Sequence, residues 1–195
     1  YKRQNMETAL CQNQAKATGG NATVRATRSF EAWITTNKSR GTGGADGSNA
    51  AAATDAAAGN KRALTEVLLK GVLQQMFTNG AEPKLAIAGP VNKQTISGFT
   101  GRSNTRQNVA DDVVSASISL YASDFGTLKI IASNRSRDRS LLLVDPEYAK
   151  VSFLRTFKTV DISTIGDAQT KLLLAEYGLE MSNEAAHGIV ADLTT

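Results

Sequence analysis

The side chains able to do chemistry are few and widely separated. His187 is the only histidine and Cys11 the only cysteine of the 195 residues. A hydrolytic triad needs a histidine base beside a nucleophile, and general acid–base work most often falls to histidine. His187 lies in Ala185-Ala186-His187-Gly188, within an expected strand, and no Gly-x-Ser-x-Gly elbow occurs. It reads as a structural histidine. Cys11 reads as a small helix residue rather than a nucleophile, since the only histidine is far away in sequence. One histidine and one cysteine do not make a zinc site. Asp111-Asp112 lacks the spaced oxygens of a calcium loop, although a carboxylate-only magnesium or calcium site stays open on sequence grounds. Gly41-x-Gly43 is followed by Asp46 where a dinucleotide fingerprint needs glycine, and no Gly-Lys-Ser/Thr tripeptide is present. The expectation is therefore no catalytic residue, no cofactor and no metal.

Charge offers another set of candidates. The net charge of +4 permits contact with phosphate without demanding it. Arg135, Arg137 and Arg139, interrupted by Asp138, form the basic cluster. No aromatic is interleaved with them, so they read as a solvated loop or an ion-pairing site at a subunit boundary rather than a nucleic-acid patch. Glu176 and Glu180 share one strand face and read as solvated or inter-subunit charges. These five residues are the candidate subunit contacts.

The elements that carry them follow from periodicity. Tyr1 to Ala17 reads as a helix stopped by Thr18-Gly19-Gly20. Arg25 to Asn37 is either a strand or a short helix, with Trp33 as a core anchor. The stretch 38–60, rich in glycine and alanine, reads as a long mobile loop that buries little. Lys61 to Asn79 is the clearest helix, capped by Asn60 and ended by Asn79-Gly80. It puts Leu68, Leu69, Val72, Leu73 and Met76 on one face, against a sheet. Lys84 to Ala88 reads as a strand, and Gly89-Pro90 opens a short helix from Val91 to Phe99. Thr100 to Asp112 is a loop.

Further on, Ser115 to Ser133 reads as a hairpin turning at Asp124-Phe125-Gly126, and Leu141 to Val144 as a strand stopped by Asp145-Pro146. From Leu141 to Leu193 the alternation is strong. Leu173, Ala175, Tyr177, Leu179 and Met181 share one face; Leu172, Leu174, Glu176, Glu180 and Ser182 share the other. After a turn at Ser182-Asn183-Glu184, Ile189, Ala191 and Leu193 continue the pattern. Such a strand belongs to a sheet packed on one side and facing neighbours or solvent on the other. Helices first and mostly strands later give an α+β fold class. At 41% hydrophobic and 21% charged the composition is that of an ordinary globular chain. No apolar run is long enough to span a bilayer. The single cysteine means that the fold does not depend on an oxidising compartment. The opening residue, Tyr1, falls inside a helix-like stretch, so amino-terminal residues are expected to be missing.

Four ordered stretches carry a family resemblance: METALCQNQAKATGG with FEAWITTNKSRGTGGADG; RALTEVLLKGVLQQMFTNGAEPKLAIAGPVNKQTISGFTGR; LYASDFGTLKIIASNRSRDRSLLLVDPEYAKVSFLRTF; and GDAQTKLLLAEYGLEMSNEAAHGIVADL. Together they resemble the carboxyl-terminal part of a tailed-bacteriophage major capsid protein of the Hong Kong 97-type fold. The resemblance implies an axial domain plus part of the peripheral domain. Residues 1–29 would hold the end of the spine helix, residues 30–140 the axial domain with the loop 38–60, and residues 141–195 the closing strands returning toward the peripheral domain. It further implies a head subunit, not an enzyme, that assembles with copies of itself into pentamers and hexamers in the host cytoplasm and ends in the virion. Scaffolding or decoration proteins would be partners, as would packaged DNA on the inner surface without sequence specificity, and no membrane. The amino-terminal arm and extended loop of the family would precede Tyr1, so this chain is expected to be monomeric or weakly associating. An encapsulin-type nanocompartment shell and a non-shell ligand or nucleic-acid binding domain are the alternatives.

Overall fold

The structure, a computed structural model, describes residues 2–99, 119–163, 166 and 169–194. The expected loop 100–112, the carboxylates Asp111 and Asp112 and the first residues of the expected hairpin, 115–118, lie outside them.

Strand β5 (Leu141–Val144) organises the molecule. Its four apolar residues are all buried, which is the signature of a strand covered on both faces. Leu141 and Leu143 enter one core and Leu142 and Val144 the other. Around it lie β1 (Asn37–Ser39), β2 (Leu85–Ala88), β3 (Leu120–Ser123), β4 (Gly126–Ala132) and β8 (Gly188–Val190), in the order β1-β8-β5-β2-β4-β3. The pairs β1–β8 and β2–β4 are parallel; β8–β5, β5–β2 and β4–β3 are antiparallel. The sheet thus takes strands from both sides of residue 140, and the division expected there is not a break in the sheet.

On one face lies α3 (Glu66–Thr78), with Leu69, Val72, Leu73 and Met76 buried as the helical period requires. It starts later than expected. Thr65, not Asn60, is the cap, accepting from the Leu68 N–H, while the Asn60 amide donates to the Thr42 carbonyl at 2.9 Å. Gly80, at φ +78°, follows the end of the helix, as the Asn79-Gly80 pair predicts. The helix crosses β8 so closely that a Cβ on Gly188 would stand 2.6 Å from the Met76 sulfur and 2.7 Å from a Val72 methyl. The short α4 (Pro90–Ser97) begins with proline in its first turn and buries Ile96 beside α3.

The opposite face is covered by α1 (Lys2–Cys11) and α2 (Phe30–Trp33), whose Leu10, Phe30 and Ile34 meet Leu142, Val144 and Ile189. Here α1 stops six residues before the expected Ala17. The Gln14 N–H donates to the Ser29 hydroxyl and its carbonyl accepts from the Ser29 N–H, and Ala17 pairs with Ala26, so the chain leaves the helix to form a narrow loop turning near Gly19, at φ +83°. Of the 25–37 stretch, Phe30–Trp33 forms a short helix, and Asn37 opens β1. Trp33 is only partly buried, with the Arg28 guanidinium 4.3 Å from the centre of its ring.

The segment 38–60, expected to bury little, is tied down along its length. Ala45 pairs with Thr54, and Asn13 brackets Ala53 through both its amide oxygen and its amide nitrogen. Asp192, in the left-handed region at φ 60°, accepts from the Gly41 N–H at 2.9 Å and the Ala56 N–H at 2.7 Å. Small residues let this segment lie against the body, where Ala53 and Ala56 are buried.

The longest strands stand apart. β6 (Ala149–Ile162) and β7 (Thr170–Met181) form their own two-stranded antiparallel sheet, with two register shifts along β6. Only its base joins the second core, through Ala149, Val151, Leu179 and Met181. A sheet packed along one whole side, as the alternation predicts, is not what forms. The distal half is an arm with both faces open.

Candidate functional site

Among the described residues no three histidines, cysteines or carboxylates gather as a metal site. Cys11 is buried, and burial, with Glu7 nearby, pushes its thiol up to about 11. His187 is fully buried just ahead of β8, at the end of a single 3-10 turn (Glu184–Ala186), rather than inside the strand. Its Nδ1 accepts from the Asp145 N–H at 3.2 Å, and its ring meets Phe30 edge-on. Burial holds its pKa below the ordinary histidine value, against the opposing pull of Tyr148, Asp145 and Glu184. This is a neutral imidazole built into the core.

The three candidate arginines all find partners inside the chain. Arg137 Nη1 stands 2.9 Å from Glu31 Oε2, and its Nη2 reaches Asp55 at 2.5 Å. Arg139 binds the same Asp55 oxygen at 3.1 Å, and Arg135 donates to Gln4 of α1 at 2.8 Å. Glu31 is 1% exposed and is further met by Arg40 at 3.7 Å and the Ser140 hydroxyl at 3.2 Å. Arg40 also binds Asp46 at 2.9 Å, and Lys38 pairs with that carboxylate as well. Burial raises the Glu31 pKa against the two guanidiniums. At Asp55 burial also pushes upward, but Arg137 and Arg139 outweigh it and hold the carboxyl below its usual range. The result is a junction in which alternating charges tie α2, the 38–60 segment and the β4–β5 connection together. Sequence reading found Arg137 and Arg139; Arg40, Glu31 and Asp55, scattered along the chain, it did not.

Glu176 and Glu180 sit on the arm and pair across it, with Arg155 at 3.4 Å and Lys150 at 3.0 Å. The Ser152 hydroxyl also donates to Glu180. Around them the arm exposes a dense apolar surface. Leu154 is 79% exposed, and Phe153, Val160, Ile162, Leu172, Leu173 and Leu174 are all more than one-third exposed. Strand alternation puts Leu172 and Leu174 on one face and Leu173 and Tyr177 on the other. A two-stranded ribbon with apolar side chains on both faces is marginal alone in water, and exposed apolar surface of this kind marks an interaction site.

The described residues thus present an α+β body with a projecting contact arm and an internal charge junction, which is the make-up of a protein that works by contact. The chain belongs to the SU10 major capsid protein family, whose sequence model matches residues 2–194, and it is therefore a structural protein of the viral capsid. The crystal structure of a virus-like particle from Pyrococcus furiosus is similar at 15% sequence identity and a TM-score of 0.42, covering 67% of this chain and 53% of that one. The chain spans about half the length of that subunit. A search of curated proteins gave no match.

Proposed function

We propose that the chain is the shell-forming part of a tailed-phage head subunit with the Hong Kong 97-type fold. In this reading the six-stranded sheet with α3 and α4 is the axial domain, α1 is the end of the spine helix, and the β6–β7 arm belongs to the peripheral domain. Copies associate into pentamers and hexamers around DNA, which lies on the inner surface without sequence recognition. Scaffolding or decoration proteins assist in the host cytoplasm, and the subunit carries out no catalysis. Family membership supports the role, and the observation that carries the mode of action is the arm. Its open apolar faces are satisfied only when neighbours cover them, and a closed symmetric shell supplies such neighbours at every position.

The five candidate contact residues divide within this reading. Glu176 and Glu180, exposed on the arm, face neighbouring subunits. Arg137 and Arg139 act one step back, by bracing through Asp55 the segment 38–60 that a neighbour meets, and Arg135 braces α1 through Gln4.

The test is composition. Heads purified from the virus and emptied of DNA are digested and analysed by mass spectrometry. Peptides of this chain should dominate the shell; their absence from the shell would overturn the proposal.

A further inference from the structure

Next to the base of the arm lies an open groove of about 870 Å³. One wall is β7 around Ala175 to Leu179; the other is the loop 16–28 with Trp33 behind it. Thr27 Oγ1 accepts from the Leu179 N–H at 2.9 Å, which shows that this N–H points away from β6. The ladder alternation then turns the N–H groups of Tyr177 and Ala175 to the same side, where no strand of the two-stranded sheet lies. Beyond the Thr27 contact, the groove therefore offers a strand edge that no strand of the described residues fills, the kind of template that takes an added strand.

Its charges are specific. Lys16 and Arg25 have no carboxylate partner among the described residues, and there Arg28 bonds neutral oxygens, on Asn49 at 2.9 Å, Ala32 at 2.6 Å and Gly47 at 3.5 Å. The carboxylate of Glu176 stands on the opposite rim, held among the described residues by Arg155 across the strand pair.

The far end of the arm has the complementary make-up. Val160, Ile162 and Leu172 are exposed apolar residues in extended backbone. Between them Asp161, its side chain 81% exposed, meets Lys171 at 3.5 Å among the described residues. Asp161 suits Lys16 and Arg25, and Lys171 suits Glu176. The tip cannot reach its own groove: eight residues separate Leu154 from Ile162, a span of about 26 Å of strand.

We propose that the groove receives the arm tip of a second copy of this chain, which adds as an edge strand on β7 with Asp161 against Arg25 and Lys16. The contact is head-to-tail, so each copy gives a tip and accepts one, and the chain of contacts closes when it runs around a ring. The proposal rests on the shell reading and names the surface that such a shell uses.

The test places one cysteine on each side. The complete protein is expressed as two differently tagged copies, Asp161→Cys in one and Arg25→Cys in the other. Cys11 is buried and does not compete. Mild oxidation should join the two tags through a disulfide wherever a copy carrying Asp161→Cys docks on one carrying Arg25→Cys. Particles without that disulfide overturn the arm-to-groove contact and leave the shell reading standing; a failure of the unsubstituted complete protein to form particles or any oligomer removes both. Charge exchange gives a second measure. Asp161→Lys should reduce assembly at least tenfold, and adding Arg25→Glu should restore it. Equal assembly by all three proteins would overturn the contact.

Discussion

Arg137 and Glu31, 106 residues apart in sequence, meet at 2.9 Å with Glu31 withdrawn almost completely from water. A buried carboxylate of this kind persists because guanidiniums face it, and removing one strands the charge. Arg137→Met is expected to cost about 3–5 kcal/mol of folding stability, read from urea midpoints, because it also releases Asp55. Pairing it with Glu31→Gln should recover a substantial part. If Arg137→Met alone unfolds at the wild-type midpoint, the junction does not hold the fold.

Gly188 sets how close α3 comes to β8. Gly188→Ala places a methyl against the Met76 sulfur and the Val72 side chain. The expected loss is about 1–3 kcal/mol, typical of overpacking. Adding Met76→Ala should relieve the clash while costing the packing of Met76 itself, so the two changes should be non-additive. Additive losses would show that the approach is looser than described.

His187 gives stability a pH slope. Its folded pKa lies below the ordinary value of about 6.5, so between the two the unfolded chain binds more protons than the folded one. The stability it contributes is fully present above about pH 6.5 and is lost as pH falls from there toward the folded value. Protonation would also turn Nδ1 into a donor facing the Asp145 N–H. Denaturation midpoints measured from pH 8 to pH 5 should fall for the wild type and fall less for His187→Gln. Parallel curves would remove His187 from the account.

The arm should be energetically idle in the isolated subunit and needed in the shell. Leu154→Ser is expected to change folding stability by less than about 0.5 kcal/mol, as an exposed substitution does, while reducing particle yield. Circular dichroism melts and particle counts on the same protein separate the two effects. Unchanged particle yield would mean that this side chain meets no neighbour.

The sequence was most legible where local chemistry and long-range packing agree. The apolar period of α3, the Gly89-Pro90 break, the turn before β4 and the buried run of β5 were all readable, because each element's own side chains decide it. What escaped depends on partners far along the chain. α1 stops at Cys11 because Gln14 meets Ser29, and the 38–60 segment is ordered because Asp192 and Asn13 reach its backbone. The alternation of β6 and β7 gave the strands correctly and their surroundings only in part. Period two says that a strand has two faces; it does not say whether this subunit or its neighbour covers them.

The most direct test is electron microscopy of the protein expressed from its complete gene, together with the genes beside it. Closed shells of uniform size are expected, their walls built from this chain, with β6–β7 density lying between adjacent subunits. Small soluble species alone, or shells in which β6–β7 projects free of any neighbour, would contradict it.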